Sequence, residues 1–384
     1  MTIDAKTEYP QIHWVEKDEP RSARWHSEAG NLPPKRVILA DDKLPAESAY
    51  RLACEGTGLL WKGDFQNARQ LLQAMTRRLN KARAKKVREP SSITEAFHWH
   101  RQDQIQRARI LGMLLISLDE KLVVKLRRAP DVKAAFEQVH GKAEGHSVVS
   151  LRELQGVVGA YEWRKAGVFI PALEAEIHPH YGVYSPIRGE YLELIEQAPL
   201  PEGLEDAVDV GVGTGVLTAL LLKRGVKKVT ATDLDPRALA CAKENLSRMG
   251  MMHKVELQQT NLYPTDECQF GLIVCNPPWV PASANAPIEH AVYDPNSRML
   301  KGFLSGLKAR LTCDGEGWLI LSDLAEHLGL RSRDELLGWI AQAGLHVLDK
   351  LDVAPKHSKA FDSTDVLHEA RSKEVTSLWR LAIK

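Results

Sequence analysis

Residues Ala207 to Leu222 constrain this chain more than any other stretch. Ala207-Val208-Asp209-Val210 is a short apolar run holding one carboxylate. Gly211, Gly213 and Gly215 alternate behind it, and Val216 to Leu222 is almost wholly apolar. That order reads as a buried strand, a glycine turn and a helix. Glycine takes up positive φ at little cost and lets a backbone pass close to a ligand. A helix that starts directly after such a turn leaves its first N–H groups free. Asp233 lies 24 residues after Asp209 and ends a second apolar run, Val229-Thr230-Ala231-Thr232. An acid at that place accepts both hydroxyls of a ribose.

From residue 204 onward strand and helix alternate. Strands are predicted near 207–210, 228–232, 255–259, 271–275, 317–322, 346–353 and 377–383, and helices near 215–224, 236–249, 296–311 and 332–343. Pro236 and Gly250 punctuate the second helix as first-turn proline and terminal glycine do. Short connections between such elements imply an α/β fold, a doubly wound parallel sheet of seven strands with helices on both faces. Ligands bind such sheets outside the carboxyl ends of the strands. Gly211–Gly215, Asp233, Asn261 and Asn276 all follow strand ends, so they are expected on that edge.

The dinucleotide fingerprint G-x-G-x-x-G fails here, because its last position is Val216, and no G-K-[ST] follows to cradle a phosphate. Asp209, two positions before the first glycine, repels a pyrophosphate and attracts a sulfonium or an amino group. The ligand expected is S-adenosylmethionine, which carries no phosphate. Behind the apolar run Phe270 to Cys275 comes Asn276-Pro277-Pro278-Trp279. Two prolines end a ladder and stiffen the backbone. The stretch presents an amide, rigid carbonyls and an aromatic plane, a set suited to a flat nitrogen-bearing group.

Residues from about 181 to 384 resemble a class I S-adenosylmethionine-dependent methyltransferase, of the small methyltransferase group that includes release-factor glutamine and ribosomal-RNA guanine and adenine methyltransferases. Asp209 to Gly215, with Gly211, Gly213 and Thr214, match the first motif of that family, and Asp233 matches the acidic end of its second strand. Asn261-Leu262 stands where the family contacts adenine, with Asn261 where many members have Asp. Asn276-Pro277-Pro278-Trp279 matches the [N/D]-P-P-[Y/F/W] motif of members that methylate planar nitrogens. The resemblance implies a Rossmann-like methyltransferase fold, cofactor contacts from Asp209, Gly211, Gly213, Thr214, Gly215, Asp233, Asn261 and Leu262, and catalytic roles for Asn276, Pro277, Pro278 and Trp279. Ser185-Pro186 and Glu190 fit the segment that glutamine methyltransferases fold over the cofactor, whereas the glycine-rich continuation of the release-factor enzymes is absent after Trp279. The loop Val280 to Asn296 is long enough to shape an acceptor pocket. Three functions stay open: methylation of a nucleic-acid base, favoured as RNA; methylation of a protein glutamine; and binding of S-adenosylmethionine without catalysis.

Charge favours the first. Residues 1–180 carry 29 Lys and Arg against 23 Asp and Glu, and the remainder carries 22 against 27. Arg69 to Arg88 holds eight basic residues and no acid. Arg77, Arg78, Lys81, Arg83, Lys85 and Lys86 are the candidate phosphate contacts. Residues 1–45, punctuated by Pro10, Pro20, Pro33, Pro34 and Pro45, read as irregular. Residues 46–165 read as a basic, mainly helical domain, 166–203 as a linker or hairpin over the cofactor site, and 204–384 as the methyltransferase domain. Five cysteines without C-x-x-C spacing give neither a disulfide framework nor a zinc site. His178-Pro179-His180 lacks a third ligand nearby. No metal is expected. Met1 to Glu8 shows no apolar signal core, and no run of apolar residues is long enough to span a bilayer. Cytoplasm is the expected compartment.

Overall fold

A computed structural model describes residues 9–84, 89–186, 189–356 and 361–384. The chain divides into two compact units: residues 1–89 with 99–162, and residues 90–98 with 163–384.

The first unit holds β1 (Gln11–Glu16), β2 (Glu19–Trp25), β3 (Arg36–Ala40), α1 (Ala46–Cys54), β4 (Thr57–Trp61), α2 (Phe65–Ala84), most of α3 (Ile93–Leu111), β5 (Leu114–Leu118), α4 (Lys133–His140), β6 (Ser147–Ser150) and most of α5 (Leu151–Ala166). Its six strands form one mixed sheet in the order β1-β2-β6-β5-β4-β3, with β3, β4 and β5 parallel. Side chains alternate between faces. Leu59, Trp61, Leu114 and Ile116 pack with the helices, whereas Leu60, Leu115 and Val148 pack with Ile12, Ala23 and Trp25 of the β1–β2 hairpin.

This sheet corrects the reading of residues 1–165. The segment 1–45 is not irregular where it is described, since β1, β2 and β3 lie there. Residues 46–165 are largely helical, but their helices pack on strands that the sequence concealed. The hairpin turn is Lys17-Asp18, with φ of 54° and 62°. Two positive φ values mark the type I′ turn, whose usual signal is Asn-Gly or Asp-Gly, and that signal is missing. The central strands β4 and β5 are mainly apolar, largely buried runs of five residues, interrupted by Thr57 and Gly58 in one and by Ser117 in the other. Such runs have no period to separate them from a helix end, so Leu114–Leu118 reads as the tail of the preceding helix.

The second unit begins with the hairpin β7 (Val168–Ile170) and β8 (Ala175–Ile177), followed by α6 (Glu190–Gln197). It continues as β9 (Asp206–Val210), α7 (Val216–Lys223), β10 (Lys228–Asp233), α8 (Pro236–Arg248), β11 (Val255–Gln259), β12 (Phe270–Cys275), α9 (Arg298–Arg310), β13 (Leu311–Ser322), α10 (Leu324–His327), α11 (Arg333–Gln342), β14 (Leu345–Val353), α12 (His368–Ser372) and β15 (Thr376–Ile383). The seven strands predicted from sequence form a single sheet in the order β11-β10-β9-β12-β13-β15-β14. Its first five strands are parallel, and β15 runs antiparallel to both neighbours. Both faces are covered. Ala207, Leu272 and Val274 face the cluster of α6, α7 and α8, and Val208, Ile273 and Cys275 face that of α9 and α11. Burial on both faces makes these central strands largely apolar, and the glycine and proline punctuation between them and their helices makes this half legible. Truncating a fully buried side chain such as Leu220 to Ala is expected to cost about 2–5 kcal/mol.

Candidate active site

Strand order reverses between β9 and β12, which lie side by side with β10 on the far flank of β9. Val274 pairs with Asp209 and Cys275 with Val210, and Thr232 of β10 pairs with the same Val210. Asp233 in turn pairs with Gln259 at the end of β11. The residues after each strand therefore emerge along one edge, as the sequence predicts.

The glycine turn is held by its own backbone. Gly211 and Val212 both donate N–H bonds of 2.9 Å to the Thr232 carbonyl. Gly211, Gly213 and Gly215 have φ of 82°, 51° and 83°, a region that costs other residues energy. Gly215 is constrained twice, since a Cβ there would lie 3.3 Å from the Cα and Cβ of Ala242 on α8. Thr214 is buried in the turn, and its carbonyl accepts a bond of 3.0 Å from Asn245 Nδ2. Asn245 Oδ1 accepts from the His178 backbone at 2.8 Å, so one buried amide ties the turn to the chain before α6. His178 and His180 do structural work. The His178 ring contacts the Arg164 carbonyl and the His180 ring contacts Glu244. Among the described residues no cluster could hold a metal ion.

Asp209 is wholly buried on β9. Its Oδ2 accepts a 2.7 Å bond from the Thr218 hydroxyl, and its Oδ1 has no partner. Burial pushes this carboxyl up to about 6 against the opposing Thr218 bonds, and the nearby Asp233 carboxylate adds to the rise. Asp233 is oriented on both oxygens: Oδ1 accepts from Asp235 N at 2.9 Å and Oδ2 from Gly213 N at 3.2 Å. Burial raises its pKa as well, against those backbone bonds. The loop after β11 is tied to the same strand end. Leu262 takes φ of 70° and its carbonyl accepts from the Thr232 hydroxyl. Asn261 is exposed beside it.

At the end of β12 the indole N–H of Trp279 donates to Asn276 Oδ1 at 2.9 Å. The two side chains thus bond to each other, which leaves the amide oxygen a second lone pair. Pro277 is buried, Pro278 is half-buried, and Trp279 packs against three separate hydrophobic clusters. The loop after it closes on itself. Val280 N donates to the Val292 carbonyl and Asp294 N donates back to the Val280 carbonyl. The buried Asp294 carboxylate then accepts the N–H groups of Met299 and Leu300 at the start of α9.

Three residues that sequence reasoning passed over lie in this arrangement, Thr218, Asn245 and Tyr191, whereas Asp294 falls in the loop expected to shape the acceptor pocket. Tyr191 opens α6, buried, with its phenol pushed up by burial and by the neighbouring Tyr184 and Asp209. Only Thr218 carried a signal, a lone hydroxyl within the apolar run of α7.

In the first unit, Arg77, Arg78 and Lys81 are exposed on α2, opposite its buried Leu71, Leu72, Met75 and Leu79. Arg83 pairs with Asp103. Lys85 and Lys86 lie outside the described residues.

Residues 177–324 match the family model of the methyltransferase small domain. The chain is 31% identical over 195 residues to the release factor glutamine methyltransferase of Deinococcus radiodurans, covering 47% of this chain and 64% of that protein. It is 31% identical over 152 residues to the ribosomal protein L11 methyltransferase of Pelotomaculum thermopropionicum, covering 40% and 46%. It is also 32% identical over 89 residues to the tRNA1(Val) (adenine(37)-N6)-methyltransferase of Parabacteroides distasonis, covering 22% and 38%. The chain thus spans less than two thirds of the length of each of these relatives. No helix among the described residues is long and apolar enough to cross a membrane.

Proposed function

We propose that this protein transfers a methyl group from S-adenosylmethionine to a planar nitrogen of a macromolecule, with the amino group of an RNA base as acceptor. The observation that carries the reading is the buried, unpartnered Asp209 Oδ1 on the same sheet edge as Asp233 and Asn276. A buried carboxylate oxygen without a donor costs free energy. A cationic, donor-rich ligand offsets that cost, and the methionine moiety of the donor offers an ammonium and a sulfonium. When bound, the donor supplies an electrophilic methyl for in-line displacement.

The chain's own residues do the rest by holding groups in place. Asp233, fixed on both oxygens by backbone N–H groups, accepts from the ribose hydroxyls. The second lone pair of Asn276 Oδ1 and the Pro277 carbonyl accept the two N–H bonds of the acceptor. They draw its delocalised lone pair toward the methyl. No strong base is needed, because the methylated nitrogen loses its extra proton readily to water. Alignment of this kind contributes about 7–11 kcal/mol in favourable cases.

The exposed Arg77, Arg78 and Lys81 favour RNA, since cations on one helix face suit a phosphate backbone. The second reading, methylation of a protein glutamine, draws on the release-factor relative, which matches over 195 residues, the longest of the three alignments above. Extract from a strain lacking the protein, incubated with methyl-labelled S-adenosylmethionine and the purified protein, separates the two. Label released by RNase supports an RNA acceptor, and label released only by protease contradicts it.

A further inference from the structure

Pro90–His98 lies between two stretches of the first unit in sequence but belongs to the second. Within the second unit this segment packs beside the loop that follows Trp279. Ala96 and Phe97, the latter 3% exposed, share a buried cluster with Val280, Leu328, Leu367 and Ala370, and Trp279 packs against it. The seat is close-fitting. Thr94 Oγ1 donates to the Leu328 carbonyl at 2.8 Å. A Cβ on Gly329 would lie 2.6 Å from the same oxygen.

Trp279 therefore has two constraints. Its ring is bounded by hydrophobic clusters, one of which contains Phe97, and its N–H is spent on Asn276 Oδ1 at 2.9 Å. An amide side chain presents an oxygen or a nitrogen according to how it is turned. The indole N–H admits only the oxygen, so Trp279 fixes which end of Asn276 occupies this position.

We propose that Phe97 is a positioning residue for methyl transfer: by filling the cluster against which the indole of Trp279 packs, it holds the Asn276 amide oxygen in the orientation that receives the acceptor nitrogen. The inference rests on the N-methyltransferase reading of the site. It assigns a role in the chemistry to the first turns of α3, far from the other site residues in sequence.

The test uses the full chain and methyl-labelled S-adenosylmethionine at saturation, with extract of a strain lacking the protein as acceptor, titrated to a plateau. Phe97→Ala is expected to lower the plateau rate about tenfold while calorimetric affinity for S-adenosylmethionine stays within twofold. Phe97→Leu, which refills most of the volume, should restore most of the rate. Trp279→Phe, which keeps a ring but loses the N–H, should reproduce the loss. The double variant Phe97→Ala/Trp279→Phe should lose little more than either alone, because both act through Asn276. If Phe97→Ala does not fold, the milder truncation Phe97→Val takes its place beside Trp279→Phe: additive losses, or no loss from either, overturn the proposal. A Phe97→Ala plateau equal to wild type, or a rate loss matched by loss of donor affinity, also overturns it. Absence of label with the wild-type protein overturns the methyltransferase reading itself, a result distinct from any of these.

Discussion

Asp209 is the residue at which the proposed function and stability oppose each other. Its carboxyl is raised from an ordinary 3.8 to about 6 by burial, so the folded chain holds that proton more tightly than the unfolded one. Stability from this group is then greatest below about pH 4 and falls as pH rises through about 6. The cost above that window is about 2–3 kcal/mol. Asp209→Asn keeps a partner for Thr218 and removes the buried charge. Its thermal midpoint at pH 8 is expected above that of wild type by scanning calorimetry, and the difference should vanish toward pH 4. The same variant should bind S-adenosylmethionine weakly, because the unpartnered anionic oxygen is gone. A midpoint unchanged or lowered at pH 8 would remove Asp209 from this account. The glycines, Asp233 and the Asn276 tetrapeptide were legible in sequence because each follows a strand end with a chemistry of its own. The Trp279–Asn276 bond was not, because spacing says nothing of which way a side chain turns.

Among the elements, the turn between β9 and α7 carries the greatest local demand. Gly215 has φ of 83° and faces Ala242 at 3.3 Å from its missing Cβ. Gly215→Ala is expected to cost about 1–3 kcal/mol, read as a lowered denaturation midpoint in urea. Gly213→Ala meets no atom nearer than 4.0 Å and carries the φ penalty alone, so it should cost less. Equal losses would show that the approach of α8 is unimportant. The same comparison explains which elements the sequence disclosed. Strands β9, β10 and β12 are flanked by punctuated helices, with Pro236 and Gly250 bounding α8, so their apolar runs could be only strands. Strands β4 and β5 follow α1 and α3 within three residues and without a proline between. β1 and β2 are joined by a turn that uses Lys17 and Asp18 in place of glycine. Tertiary pairing overrode the local signal in each case.

At the scale of the whole molecule, the chain combines a seven-stranded unit carrying the proposed methyl-transfer residues with a six-stranded unit bearing an exposed cationic helix face. Binding of a single-stranded RNA should weaken with salt, and each phosphate neutralised contributes a slope of about −0.7 in log affinity against log salt. Replacing Arg77, Arg78 and Lys81 together with Gln should flatten that slope by about 2. An unchanged slope would assign RNA contacts elsewhere or favour the glutamine reading. The central claim, one donor site built from the tips of β9, β10 and β12, is tested most directly by titrating S-adenosylmethionine calorimetrically into wild type, Asp233→Ala and Asn276→Ala. Loss of a charged acceptor of the ribose hydroxyls is worth about 1.5–3 kcal/mol, so Asp233→Ala should bind about 10–100-fold more weakly. Asn276→Ala should bind within severalfold of wild type while losing methyl transfer. Wild type that takes up no donor, or an Asp233→Ala variant that binds it as tightly as wild type, would contradict the account.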